Sequence, residues 1–225
     1  MIPATRRLGV LGGTFDPIHI GHLDAAEAAR LALALDEIVV LPAHDPPHRP
    51  IDPRASAFHR FALVALALNG HDAYRLSDME LRRSGPSYTA PTLHELHGRG
   101  WRPLQLFFIL GADAFAEIAT WYDYPAILDA CHFAVIARPG TTLDTALAAT
   151  PSLASRARPV ADAAGDMETT SIFLIEARTL SVSSSDIRAR LAGRQSIDGL
   201  VPPAVARYIH LHHLYEAVDD LHGKD

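Results

Sequence analysis

The chain has 225 residues, 48% of them hydrophobic and 20% charged, with a formal net charge of −6. That composition fits one globular domain and argues against a broad nucleic-acid footprint or an anionic membrane surface as partner. Cys131 is the only cysteine, which excludes an intrachain disulfide and a cysteine-rich metal site, and Lys224 is the only lysine, which excludes a P-loop, Schiff-base or phosphate-clamp lysine in the folded body.

No run of about 18 apolar residues would span a membrane, and no targeting signal is visible. A cytoplasmic protein is expected. In chain order, "RLGVLGG" reads as a strand and "LDAAEAARLALAL" as a helix with one apolar face. "EIVVLPA" follows as a buried strand, then "RASAFHRFALVALALNG" as a helix closed by Asn69-Gly70, "YRLSD" as a strand and "TLHELHGRG" as a helix ending at Gly98. "PLQLFFILG" is the most apolar strand. "DAFAEIATW" and "PAILDA" read as short helices, "HFAVIARPG" and "SIFLIEA" as two further strands.

The stretch between Arg138 and Ile172 is rich in Ala, Thr, Ser and Pro and reads as a surface insertion, about 140–170, carrying one helix. The chain closes with the helices "SSSDIRARLAG" and "PAVARYIHLHHLYEAV", a C-terminal helical part over about 184–215. Alternating strands and helices predict one α/β domain, 1–225: a Rossmann-like, doubly wound parallel sheet of about five to six strands with helices on both faces. In such a sheet, ligands lie beyond the carboxyl ends of the strands, where "VLGG", "VLPA", "ILGA" and "VIARPG" all end.

At the first of these ends, Gly12 and Gly13 let a ligand approach the backbone, and the following helix N-terminus offers N–H groups and partial positive charge. That is a phosphate seat. His19 and His22 are three apart, so within one helical turn they share a face roughly 5–6 Å apart at Cβ, and Gly21 clears space between them. Farther on, Ser184 or Ser185 can cap a helix while Arg188, one turn in, faces the same seat. Gly111 permits close approach. Asp113 can cap its helix, accept from ribose hydroxyls, or both. Trp121 reads, on its own, as a core residue, and His210, His212 and His213 as a solvated helix face rather than a metal site.

The string "GGTFDPIHIGH", Gly12 to His22, resembles the signature of the HxGH nucleotidyltransferase superfamily and, more narrowly, of the nicotinate-nucleotide adenylyltransferase family. The resemblance continues in order through "PPH" at Pro46, "SYT" at Ser87, "ILGADAF" at Ile109, "TW" ending at Trp121, "ARPG" at Ala137, "VSSSDIR" at Val182 and "LVPPAVARYIHLHHLY" at the end, covering roughly residues 8 to 215. It implies transfer of AMP from ATP to nicotinate mononucleotide, with release of pyrophosphate and a Mg²⁺ held mainly by the ATP phosphates rather than by protein ligands. Such a transfer needs no protein nucleophile, only positioning and charge stabilisation.

By the same resemblance, His19, His22 and Arg188 are the catalytic set, the histidines donating to the α-phosphate and Arg188 holding the β- and γ-phosphates. Gly12, Gly13, Thr14, Phe15, Gly21, Gly111, Asp113 and Ser184 complete the ATP site. His48, Arg49, Tyr88, Thr89, Trp121 and Tyr122 are implied for the mononucleotide, Trp121 lying against the pyridine ring. A homo-oligomer is compatible with the pattern; nucleic acid and membrane are not expected partners. Two positions depart from the family: Arg49 stands where lysine is usual, and Pro91 where aspartate is usual, two after Thr89. Proline fits a first helical turn, but any polar role of that aspartate is lost. The competing readings are nicotinamide mononucleotide or phosphopantetheine as acceptor, and an ATP-binding regulator without turnover.

Overall fold

A computed structural model of the chain describes residues 2–47, 53–137, 151–165, 167–177 and 180–216. The strands are β1 (Leu8–Gly13), β2 (Glu37–Pro42), β3 (Tyr74–Leu76), β4 (Leu106–Gly111), β5 (His132–Ala137), β6 (Ala157–Arg158) and β7 (Ile172–Glu176). They form one sheet in the order β3-β2-β1-β4-β5-β7-β6, with every pairing parallel. The order reverses between β1 and β4. There the connections leave in opposite directions and open a crevice at the carboxyl edge.

The helices are α1 (Ile20–Ala32), α2 (Ala57–Ala67), α3 (Thr89–Gly98), α4 (Ala112–Ala116), α5 (Ile127–Ala130), α6 (Ser184–Ala192) and α7 (Pro203–Leu211). Each sheet face carries its own core. Ile38, Val40, Phe107 and Ile109 pack with α1, α2, α6 and α7, while Val10, Leu41, Phe108 and Val135 pack with α3, α4 and α5. Along α2, Leu63, Val64 and Ala67 lie on one face and are buried, the leucine and valine each worth about 1.5–3 kcal/mol. Ser56 caps this helix by accepting from His59 N at 3.3 Å. Gly70, with φ of 85°, turns the chain toward β3.

The sheet has seven strands rather than five to six. The added one, β6, pairs only Ala157 with Ile172 and Arg158 with Phe173, too short to leave an alternating pattern in sequence. It falls inside the stretch expected to be a surface insertion with one helix. Of that stretch, 138–150 and 166 lie outside the described residues, and the remainder holds β6 between two 3₁₀ turns, with Leu153 and Ala163 buried. Arg156 ties it down through a 2.8 Å ion pair with Asp129 and a hydrogen bond to the Leu128 carbonyl.

Two helix ends also differ from expectation. α1 starts at Ile20, three residues before the apolar pattern begins, with His22 Nδ1 accepting from the N-cap His19 N–H. α7 stops at Leu211. His213 and Tyr215 then adopt positive φ, 49° and 69°, which turns Tyr215 inward to be buried. Pro91 sits in the first turn of α3 without breaking it. Among the described residues, no helix is long and apolar enough to cross a membrane.

Candidate active site

A cavity of about 540 Å³ opens at the reversal of strand order, between the carboxyl ends of β1 and β4. It is lined by Leu11 to Phe15 after β1, by Phe108 to Gly111 and Asp113 at the end of β4, by Ser87 to Thr89 with Trp121 and Tyr122, and by Val182 to Ser185. The sheet therefore brings together segments more than 170 residues apart in sequence.

His19 is the N-cap of α1 and His22 its third residue, so both stand at the helix mouth rather than both within the first turn. Their rings stack with centroids 3.7 Å apart. The His19 backbone N–H donates to His22 Nδ1 at 3.2 Å. An Nδ1 that accepts leaves the proton of a neutral imidazole on Nε2, so the cap also sets the His22 tautomer. The Phe15 ring meets His22 edge-on at 5.1 Å, and Phe15 is itself buried, with φ of 51° in the left-handed region. A Cβ added at Gly21 would lie 3.2 Å from the His19 ring and 3.2 Å from Val182. The glycine thus lets the imidazole and the C-terminal segment close on each other.

The C-terminal part clasps this loop. Ser184 Oγ donates to the Pro17 carbonyl at 2.9 Å, and Arg188 Nη1 donates to the Asp16 carbonyl at 2.7 Å. Arg188 Nη2 donates to Ser185 Oγ at 3.1 Å, placing the guanidinium just behind the serines that face the cavity. The helix cap is Ser183, accepting from Asp186 N at 3.1 Å, and not Ser184 or Ser185. Ser184 is drawn instead to the Pro17 carbonyl. At the helix N-terminus that was expected to offer N–H groups, the Ile20 N–H is taken by the Leu200 carbonyl at 2.9 Å.

Gly12, Gly13 and Thr14 line the cavity opposite Gly111 and Asp113. Gly111, not Asp113, is the N-cap of α4; Asp113 occupies the first helical turn and is exposed. Trp121 does two things at once: it packs edge-on against Phe108 at 5.8 Å within the core, and it lines the cavity. Tyr88 and Tyr122 stack at 4.9 Å at the mouth, Tyr122 being 58% exposed. Ser87 binds the loop after β2, its N–H donating to the Asp45 carbonyl at 2.8 Å and its Oγ accepting from His44 N at 2.9 Å. His48 and Arg49, farther along that loop, lie outside the described residues.

Three residues of this neighbourhood, Asp16, Arg60 and Glu80, were not among the sequence candidates. Asp16, buried, accepts from Arg54 N at 2.9 Å, Ala55 N at 3.1 Å and the Tyr215 hydroxyl at 2.8 Å. Arg60 is buried against the same loop. Its position carries a sequence signal: it lies three, four and seven residues before Leu63, Val64 and Ala67, a charge on an apolar face. Glu80 lines the cavity and accepts from Thr92 Oγ1 at 2.7 Å; burial pushes its carboxyl up, opposed by that hydroxyl and by Arg83. Cys131 is fully buried, and burial pushes its thiol up, so it supplies no nucleophile.

The sequence model of the Cytidylyltransferase-like family matches residues 10–190. A Cronobacter sakazakii protein named "Probable nicotinate-nucleotide adenylyltransferase" is 42% identical, covering 91% of this chain and 93% of its own. One of the same name from Moorella thermoacetica is 39% identical over 93% of this chain and 91% of its own. Among solved structures, Plasmodium falciparum nicotinic acid mononucleotide adenylyltransferase complexed with NaAD has the same fold, with a TM-score of 0.68 at 21% identity, covering 93% of this chain and 97% of that one. A sheet reversing at β1 and β4, a capped histidine pair at that reversal and relatives matched over nine-tenths of their length lead to one conclusion: this chain belongs to the nicotinate-nucleotide adenylyltransferase family.

Proposed function

We propose that the protein transfers AMP from ATP to nicotinate mononucleotide, giving nicotinate adenine dinucleotide and pyrophosphate. A phosphate oxygen of the mononucleotide attacks the α-phosphorus of ATP directly. The bond from that phosphorus to the bridging oxygen breaks, and pyrophosphate leaves in line with no covalent enzyme intermediate. The observation that carries this reading is the His19–His22 pair, stacked at 3.7 Å at the edge of the cavity with the His22 Nδ1 engaged by backbone. Such a pair suits donation to the α-phosphate as negative charge grows there.

Gly12 supports the seat. A Cβ there would meet only the Phe108 ring at an ordinary 3.5 Å, so the protein's own packing does not require glycine, and close approach of the triphosphate gives its reason. Asp113 is offered to the ribose hydroxyls and Gly111 to the adenosine. Arg188 reaches the β- and γ-phosphates by exchanging its hold on the Asp16 carbonyl for theirs. At the other end, Trp121 offers a stacking face to the pyridine ring, and Tyr88, Thr89 and Tyr122 surround it, with His48 and Arg49 assigned to the acceptor's phosphate. Mg²⁺ is assigned to the triphosphate oxygens, where it would neutralise charge. Among the described residues no group of three His, Cys, Asp or Glu could hold an ion.

The test supplies Mg-ATP with nicotinate mononucleotide, nicotinamide mononucleotide or phosphopantetheine in separate assays and follows pyrophosphate. Release with the nicotinate compound is expected. ATP binding with no release for any acceptor would leave a regulator and overturn the reading.

A further inference from the structure

Among the described residues, Arg60 has the largest of the fully buried side chains, 1% exposed. Its guanidinium is spent on carbonyls. Nη1 donates to Thr14 O at 2.7 Å and to Ala43 O at 2.6 Å, Nη2 to His44 O at 3.1 Å, and Nε to Ala55 O at 3.2 Å. Thr14 belongs to the loop after β1 that seats the triphosphate. Ala43 and His44 open the loop after β2, and Thr14, Ala43 and Pro46 all line the cavity. A single nitrogen, Nη1, therefore bridges the two loops.

Packing alone does not call for this residue. Leu63, Val64 and Ala67 already anchor α2, and a buried guanidinium is costly unless its donors are used. Three of its four hydrogen bonds leave for the two cavity loops. The second loop is in turn bound to the Tyr88–Thr89 end through Ser87, which accepts from His44 N and donates to Asp45 O. One rigid, planar fork thus connects the ATP wall to the acceptor wall.

We propose that Arg60 is a positioning residue for adenylyl transfer: it fixes the spacing of the loop under the triphosphate from the loop and turn that hold the acceptor. That inference rests on the function proposed above. Arg60 is buried behind the cavity and does not line it, so each substrate should bind without it; what is lost is their mutual alignment. Misplacement of reacting groups by about 1 Å costs up to about 10²-fold in rate.

Arg60→Lys keeps the charge beside Asp16 but not the fork, and Arg60→Gln keeps amide donors without the charge. Both are assayed well below their own melting temperatures, with KM taken for each substrate. The expected result is kcat lower by about 10- to 10²-fold, with both KM values within about threefold. A melting temperature that falls while kcat stays at the wild-type level would overturn the proposal, as would a rise in KM alone. Should Arg60→Gln not fold, Arg60→Lys decides. A further measurement needs no variant: ATP alone should slow amide exchange at His44 and Asp45 in the unaltered protein, and an unchanged rate there would also overturn the proposal. A wild-type protein that makes no dinucleotide would fail the proposed function itself, whereas active wild type with fully active variants would fail only this inference.

Discussion

The Tyr215 hydroxyl donates to Asp16 Oδ1 at 2.8 Å, closing 199 residues of chain onto the loop that precedes α1. Asp16 is the hub of that loop. Its carboxylate takes Arg54 N and Ala55 N from the segment before α2 and the phenol from the segment after α7, with Arg188 Nη1 3.8 Å from Oδ2. Tyr215→Phe removes one donor to a buried carboxylate and nothing else. Hydrogen bonds to charged groups contribute about 1.5–3 kcal/mol, so the variant should lose about that much in urea unfolding. A stability equal to wild type would show that the hydroxyl is replaceable by water.

His19→Ala and His22→Ala should each lower kcat by about 10²–10³, the cost of one donor at a developing charge, while ATP still binds in calorimetry. His22→Ala should also cost about 1 kcal/mol in stability, because the cap of α1 is lost. Near-normal turnover in both variants would refute their role.

The sheet was legible because each buried strand is a short apolar run bounded by turn residues, and "VLGG" and "ILGA" end where the cavity opens. Less legible were features made by contact at long range. The two-residue β6 exists only through its pairing with β7. α7 ends at Leu211 because Tyr215 is held by Asp16, although the sequence continues a helical pattern. Ser183 takes the cap because the Ser184 hydroxyl is drawn to Pro17. The histidine pair and the cavity-lining glycines stood out as unusual chemistry in one short string. Asp16 stood in that same string, but its partners Arg54, Ala55 and Tyr215 are set by the fold.

Arg49 probes whether the acceptor loop uses a simple cation. If it meets phosphate as a point charge, Arg49→Lys should keep most activity and Arg49→Ala should lose about tenfold or more in kcat/KM. A harmless alanine would reduce "PPHR" to a turn.

Selectivity between nicotinate and nicotinamide mononucleotide tests the other end of the cavity. Thr89 opens α3, and the first N–H groups of a helix lack intrahelical partners and carry partial positive charge. They suit a carboxylate. The amide would set its NH₂ against these donors, at about 1–3 kcal/mol for an unpaired buried group, which is about ten- to a hundredfold in kcat/KM. Equal kcat/KM for the two would refute the preference; a preference that weakens in Thr89→Val or Trp121→Ala would add the Thr89 hydroxyl or the Trp121 ring to the recognition set, whereas one unchanged in both would leave it to the backbone donors of α3.

Acid should loosen the sheet through His132. Its imidazole is fully buried, stacked on Phe107 at 4.6 Å, and Nδ1 accepts from Ser171 N at 2.9 Å. Burial, aided by the charge of Arg7, pulls its pKa from 6.5 down to about 4. Between those values the unfolded chain binds a proton that the folded one refuses, so stability rises with pH. The contribution is whole above about pH 6.5 and is lost as pH falls toward 4, with a slope of at most about 1.4 kcal/mol per pH unit. His132→Phe keeps an aromatic ring in the stack and removes the titration, while leaving Ser171 N–H unpaired at a pH-independent cost of about 1–3 kcal/mol. Urea midpoints measured from pH 7 to pH 5 should therefore start lower in the variant and fall less steeply than in wild type. Parallel curves would show that the acid sensitivity arises elsewhere.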